Sequence, residues 1–392
     1  MIRSHLPSIS RKRVTVSALV VAIVLIFGGL IAAVRGARGY YELSPGTAPL
    51  ITASSSCQPS SGGNLSLPHG QPCVRLMVPA ERVHDVQGSL FMVDVLEGQA
   101  TPSEYVLSKL GLLNFFDEGA TLIPADEILG TTPSSQLNCQ SDQAMQSATS
   151  SAAVVALQRL GYSVHEDDLG AQIDQVEPGT AASAAGLRCN DVVTAINGQA
   201  VHTDIDFVNK IHALKPGDLA HITVSRLGAD GKTTSVDLSA RLEGTPAEPG
   251  QAAQPGRAFL GVAFETRSTY TLPFDVTINV GQIGGPSAGL ALTLGLLDVL
   301  SNGQLTGGHR VAATGTINLD GSVGDVGGVA QKAVAVRKAG AQVFLVPPQE
   351  LGAAMSQAGS MKVYAVSTLQ QALDDLQALG GKIPVPTAGQ TG

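Results

Sequence analysis

At 392 residues the chain is long enough for two or three domains, and its formal charge of −8, with no basic run beyond the N-terminus, argues against nucleic acid as a partner. It has no tryptophan and 45 glycines, so small residues carry much of the packing. Four cysteines (Cys57, Cys73, Cys139, Cys189) without a CxxC or His/Cys cluster give no zinc-site spacing, and no metal or other cofactor is implied.

Residues 1–13 are polar and end in Arg11-Lys12-Arg13. Val14 to Val34 is then a run of 21 uncharged, mostly apolar residues. A helix of that length spans roughly 30 Å of hydrocarbon, so a transmembrane helix is predicted over 14–34. The basic residues before it favour a cytoplasmic N-terminus. The expectation is a single-pass cell-membrane protein whose bulk, after Val34, is extracytoplasmic. A cleaved signal peptide is the alternative, although its apolar core normally runs only about 7–15 residues.

Residues 35–160 read as an exported stalk and a β-rich segment with a helix. The Ser/Pro/Gly-rich part, 40–66, looks loosely structured. Strands are predicted at Val74–Val78 and Ser89–Val95, and a helix from Gln143 to Leu160, where small or apolar residues line one face. Cys57 and Cys73 are placed to close a small disulfide loop outside the cytosol, with unpaired cysteines as the alternative.

Residues 162–243 read as a compact domain. Gly170–Val176 alternates as a strand does, Pro178–Leu187 is a turn and short helix stopped by Gly186, and Asn190–Gly198 ends in an Asn-Gly turn. Together these resemble the PDZ domain attached to bacterial proteases. The resemblance implies binding of an extended peptide by strand addition, with the carboxylate cradle at Leu169, Gly170 and Ala171. The Gly-aromatic pairing usual in that loop is missing there. A purely structural adaptor is the alternative. A Gly/Pro/Ala/Gln-rich linker follows at 244–256.

Residues 257–382 form the last domain, before a tail at 383–392. Two glycine-rich motifs stand out: Ile283-Gly-Gly-Pro-Ser-Ala-Gly289, opening a helix, and Gly315–Lys332, a hairpin turning at Asp320-Gly321 before Gly327-Gly328 opens another helix. A serine among small residues at a helix N-terminus has a clear hydroxyl and nearby N–H groups for an oxyanion. The first motif also satisfies G-x-S-x-G, but a hydrolase triad would need His309, the only histidine after Ser287 and just 22 residues on.

Both motifs together resemble the proteolytic domain of the Lon family, whose catalytic pair is serine plus lysine. The resemblance implies Ser287 as nucleophile and Lys332 as general base, supported by Thr314, Gly285 and Pro286. With a PDZ domain and anchor, it points to the membrane-bound, PDZ-containing branch. ATP-driven Lon proteins carry an acidic residue two places before the proline; Gly284 stands there, and no Walker motif is present. The fold class expected is α+β multidomain: a transmembrane helix, a small β-barrel-like PDZ domain with two helices, and a C-terminal Lon-type α/β domain. The expected function is an ATP-independent serine endopeptidase with protein or peptide substrates and no nucleotide. Homo-oligomerisation, as a hexamer, is implied by the resemblance alone. The alternative is a non-catalytic PDZ scaffold that uses the Lon-like domain to oligomerise.

Overall fold

The computed structural model describes residues 28–384 except 61–62, 130–131, 229–230 and 247–253. Two compact units make up the chain: 1–46 with 95–131, and 47–94 with 132–392. In the smaller unit, Tyr40–Pro45 pairs antiparallel with Val95–Gln99 and with Thr121–Pro124. Thr101 and Glu104 form a capping box at the start of the helix Pro102–Lys109, each side chain accepting from the other's N–H.

The transmembrane helix expected over 14–34 is corrected here, and with it the single-pass membrane location. Among the described residues no helix is long and apolar enough to cross a membrane. Residues 28–34 belong to a helix at 28–37 that runs on through Arg35 and buries Ala33 and Ala37. Residues 1–27 lie outside the described residues.

The larger unit begins with β1 (Leu50–Thr52), β2 (Cys73–Met77), β3 (Ser89–Phe91) and helix α1 (Ser134–Arg159). Next come β4 (His165–Val176), α2 (Ala181–Ala185), β5 (Val192–Ile196), α3 (Asp204–His212), β6 (Leu219–Leu227), β7 (Thr233–Arg241) and β8 (Val262–Thr271). The chain continues through β9 (Thr277–Asn279), α4 (Gly289–Leu300), β10 (Arg310–Ala313), β11 (Thr316–Ile317) and β12 (Val323–Gly324). It closes with α5 (Val329–Lys338), β13 (Val343–Val346), α6 (Leu351–Gln357), β14 (Lys362–Ala365) and α7 (Leu369–Ala378).

Seven strands form a mixed sheet in the order β9-β2-β1-β3-β10-β13-β14. Its centre is parallel, with Val311 opposite Leu90 and Val343. Because side chains alternate along a strand, Val311, Ala313, Val343 and Leu345 pack with α1, α4 and α7, whereas Ala312, Phe344 and Val346 pack with α5 and α6. Covered on both faces, these strands read as continuous apolar runs. Helix α4 is buried nearly throughout and accordingly apolar on almost every side, Thr293 and Asp298 excepted. At Gly295 a Cβ would lie 2.6 Å from the Ile51 side chain, so glycine lets β1 approach.

The half built on this mixed sheet is therefore discontinuous in sequence. Leu50–Thr52, within the stretch read as a loose stalk, lies inside the sheet. The PDZ-like half is inserted between α1 and β9, with its strands ordered β7-β6-β5-β4-β8 around a core of Ile173, Val193, Phe207 and Ile222. Asn197 and Gly198 both adopt positive φ (49° and 76°), as the expected Asn-Gly turn requires. Of the expected linker, 247–253 lie outside the described residues, and its flanks Glu243–Thr245 and Gln254–Phe259 pair as an antiparallel ribbon. Two disulfides form, Cys57–Cys73 and Cys139–Cys189. The second fastens α1 to the turn before β5.

Candidate active site

The strand β9 leads into the turn Ile283-Gly284-Gly285, after which a single 3-10 turn, Pro286–Ala288, opens α4. Pro286 takes the first position of that turn, where its fixed φ suits a helix start and its missing N–H costs nothing. Gly285 has φ of 86°, and its N–H donates to the Ser141 carbonyl of α1 at 2.8 Å. A Cβ at Gly284 would lie 2.3 Å from Ser141 Oγ. The serine turn is thus pressed against α1. Ser287 is partly buried, with the N-terminal end of α4 directly behind it.

Behind the turn, β10 delivers Thr314 and Gly315. The Gly315 N–H donates to the Ser287 carbonyl at 3.0 Å, and the Leu290 N–H donates back to the Gly315 carbonyl at 3.1 Å. Thr314 is fully buried, and its hydroxyl donates to the same Ser287 carbonyl at 3.2 Å. That hydroxyl also accepts from Lys332 Nζ at 3.3 Å. The structure therefore brings Ser287, Thr314 and Lys332 together through one shared hydroxyl.

Lys332 sits in the first turn of α5, whose N-cap Gly328 is left-handed (φ 68°). Its side chain is 2% exposed. Burial lowers its pKa from 10.5 to about 8, against the opposing pull of the Asp94 and Glu350 carboxylates. Asp94 is itself held by the Thr47 N–H and hydroxyl. Neither acid was visible as a site residue in the sequence, because Asp94 lies far from the two glycine-rich motifs and no spacing connects either acid to them. His309, which a hydrolase triad would need, flanks the opposite end of β10 from Thr314, about 16 Å along the strand. Its ring is occupied by the Leu379 carbonyl and Gln342.

Leu169, Gly170 and Ala171 lie within β4, an interior strand. Gly170 pairs with Arg267 of β8, and Ala171 pairs with Val193 of β5 and Thr266 of β8. A Cβ at Gly170 would lie 2.3 Å from the Val193 carbonyl oxygen, which accounts for glycine there by close packing. The outermost strand on that side is β8. Facing it is α3, whose Phe207 ring meets Phe264 at 4.5 Å and whose Asp204 bonds Thr266 through both backbone and carboxylate. The Gly-aromatic sequence missing before β4 stands before β8 instead, as Phe259-Leu260-Gly261, with Gly261 at φ of 86°.

Residues 158–239 match the PDZ domain family model, and residues 275–377 match that of the Lon protease (S16) C-terminal proteolytic domain. The chain carries a PDZ domain and a Lon-type proteolytic domain. Lon protease 2 of Bacillus subtilis (strain 168) is 33% identical over 106 residues, 26% of this chain and 19% of that protein. A probable periplasmic serine endoprotease DegP-like of Rhizobium meliloti (strain 1021) is 33% identical over 105 residues, 24% of this chain and 20% of its own. The chain spans about a fifth of the length of these curated relatives. Among solved structures, the PDZ domain of an SdrC-like protein from Listeria monocytogenes shares 22% identity at a TM-score of 0.19, covering 24% of this chain and 87% of that one. Ser287, Thr314 and Lys332 all fall inside the stretch matching the Lon-type domain, whereas β8 begins beyond the stretch matching the PDZ domain.

Proposed function

We propose that this chain is a serine endopeptidase working without nucleotide, with Ser287 as nucleophile, Lys332 as general base and Thr314 orienting the Lys332 amine. The observation that carries this reading is a buried lysine whose amine is held by the same hydroxyl that grips the backbone of the serine. With its pKa near 8, a substantial fraction of the amine is neutral in mildly alkaline solution.

The neutral amine takes the Ser287 Oγ proton as that oxygen attacks the carbonyl carbon of the scissile amide. Backbone N–H groups following Pro286, where the turn runs into α4, stabilise the oxyanion, since the Gly285 N–H is held by Ser141 and Pro286 has none. Collapse of the adduct breaks the C–N bond; the Lys332 ammonium gives its proton to the leaving amine, and an ester remains on Ser287. Water then attacks the ester, losing a proton to Lys332. Release of the carboxylic product returns a proton to the Ser287 oxygen.

In this reading the PDZ domain recruits or senses protein or peptide substrates. An extended peptide would add to the outer edge of β8 opposite α3 rather than to Leu169–Ala171, since β8 already pairs with β4 at Gly170 and Ala171. A homo-oligomer, a ring of six, is what the resemblance to Lon proteases implies, and sedimentation of the purified protein tests it.

Cleavage of casein without ATP tests the enzymatic reading, with wild type, Ser287→Ala and Lys332→Ala compared. Activity in the wild type and silence in both variants is expected. Full activity in Lys332→Ala would remove the lysine from the chemistry, and an inactive wild type would favour the scaffold.

A further inference from the structure

The serine turn does not border open solvent on every side. A cleft of about 530 Å³ lies beside it, within the size range of ligand sites. Its floor is the face of α1 carrying Ala144, Ser147 and Ser151, and one wall is Pro286 with Thr316 to Leu319 of the β11 segment. The opposite wall comes from the PDZ domain: Asp174 on β4 and Glu265 on β8. We infer that this cleft is a substrate subsite of the protease, in which Asp174 and Glu265 receive a lysine or arginine side chain of the polypeptide being cut. The inference rests on reading Ser287 as the nucleophile.

Three observations support it. The cleft is walled on one side by the residue immediately before Ser287, so a chain lying across the nucleophile reaches it with a neighbouring side chain. The acidic wall has no cation: neither carboxylate has an ion-pair partner among the described residues. Burial and the Glu265 charge instead push Asp174 up to about 7, the condition of a carboxylate short of a positive neighbour. Third, Gln172 stands directly opposite Glu265 in register, just behind the β-bulge that carries Asp174. It is 1% exposed, its Nε2 donates to Asn190, and its Oε1 has no donor among the described residues. Asp174 and Glu265 thus line the cleft without a cation, and an ammonium or guanidinium group supplies donors and charge together. A metal ion fits less well, because among the described residues no third Asp, Glu, His or Cys joins the pair.

The test uses the full chain and fluorogenic peptides that place lysine, its neutral isostere norleucine, or glutamate at each position around the scissile bond. At one position wild type should prefer lysine to norleucine at least tenfold in kcat/KM. The Asp174→Asn/Glu265→Gln double variant should bring that ratio toward one, and Asp174→Lys/Glu265→Lys should invert the order of the lysine and glutamate peptides. A wild type with no lysine preference, or a preference that persists in the folded neutral variant, overturns the subsite. If wild type cuts none of the peptides, the nucleophile reading fails first. Affinities of labelled lysine and norleucine peptides for Ser287→Ala protein then decide: tighter lysine binding supports the subsite, and equal binding ends it.

Discussion

Lys332 Nζ donates to the Thr314 hydroxyl at 3.3 Å, and that hydroxyl spends its own proton on the Ser287 carbonyl at 3.2 Å. One threonine side chain thus fixes both the direction of the amine and the backbone of the turn that presents the nucleophile. A hydroxyl has one proton and two lone pairs, so the donor and acceptor roles are compatible.

Thr314→Val keeps the shape and removes both bonds. It leaves a buried amine without its acceptor, so kcat is expected to fall roughly 100-fold, within the range assigned to positioned general bases. Thr314→Ser retains the hydroxyl and should stay within a few-fold of wild type. Steady-state kinetics on one peptide separate the two, and equal losses in both variants would assign Thr314 to packing alone.

The base must be neutral, so the rate should climb with pH and level off above the Lys332 pKa near 8. Asp94 raises that pKa, and Asp94→Asn should move the acid limb of the kcat profile to lower pH. Stability carries the same signature. The unfolded chain holds the lysine proton up to about pH 10.5 and the folded one only to about 8, so stability rises with pH between these values. Below pH 8 the cost is full, and Lys332→Met should be more stable than wild type by about 3 kcal/mol at pH 7. That advantage should fade by pH 10.5 in denaturant titrations.

The Ser287 and Lys332 motifs were legible because each is local: glycines and a helix start lie within a few residues of the functional side chain. Thr314 was legible only through the family resemblance, since nothing about a strand threonine announces its partner. Asp94 and Ser141 were not legible at all. They reach the site through sheet order and helix packing, which bring 47–94 and α1 against a domain whose motifs begin only at Ile283. The sequence alone points to Leu169–Ala171 for the peptide cradle, because β4 follows the expected pattern. Only the pairing shows that β8, past the Pro/Gly-rich stretch, completes that sheet and carries the Gly-aromatic turn. The run at 14–34 satisfied a length rule; of it only 28–34 are described, in helix that continues through the charged Arg35.

Asp298 gives a second pH signature. It is 1% exposed near the end of α4, its Oδ1 accepts from the Leu305 N–H, and its Oδ2 has no partner among the described residues. Burial raises its pKa from 3.8 to about 6, against the Leu305 bond. The folded state therefore keeps a proton that the unfolded state loses, and stability drops as pH rises from about 4 to 6. Asp298→Asn keeps an acceptor for Leu305 and avoids the charge. Above pH 6 it should be more stable than wild type by up to about 3 kcal/mol, with little difference at pH 4. Melting curves at both pH values check this, and a constant difference would place the effect outside ionisation.

The contact between Gly284 and Ser141 predicts a suppressible defect. A Cβ at Gly284 would stand 2.3 Å from Ser141 Oγ and 3.2 Å from its Cβ, so the serine hydroxyl is the principal obstacle. With the Ser141 hydroxyl in its present rotamer, Gly284→Ala pushes the turn off α1, and the Gly285 N–H bond to the Ser141 carbonyl moves with it. Misplacing a nucleophile by about 1 Å can cost on the order of 100-fold, so a loss of that size in kcat is expected with little change in melting temperature. Ser141→Ala removes the hydroxyl while keeping the carbonyl that receives Gly285. The Gly284→Ala/Ser141→Ala pair should therefore recover at least tenfold over Gly284→Ala alone, whereas Ser141→Ala by itself should sit close to wild type. Additive losses in the double variant would mean that α1 does not position the serine turn through this contact.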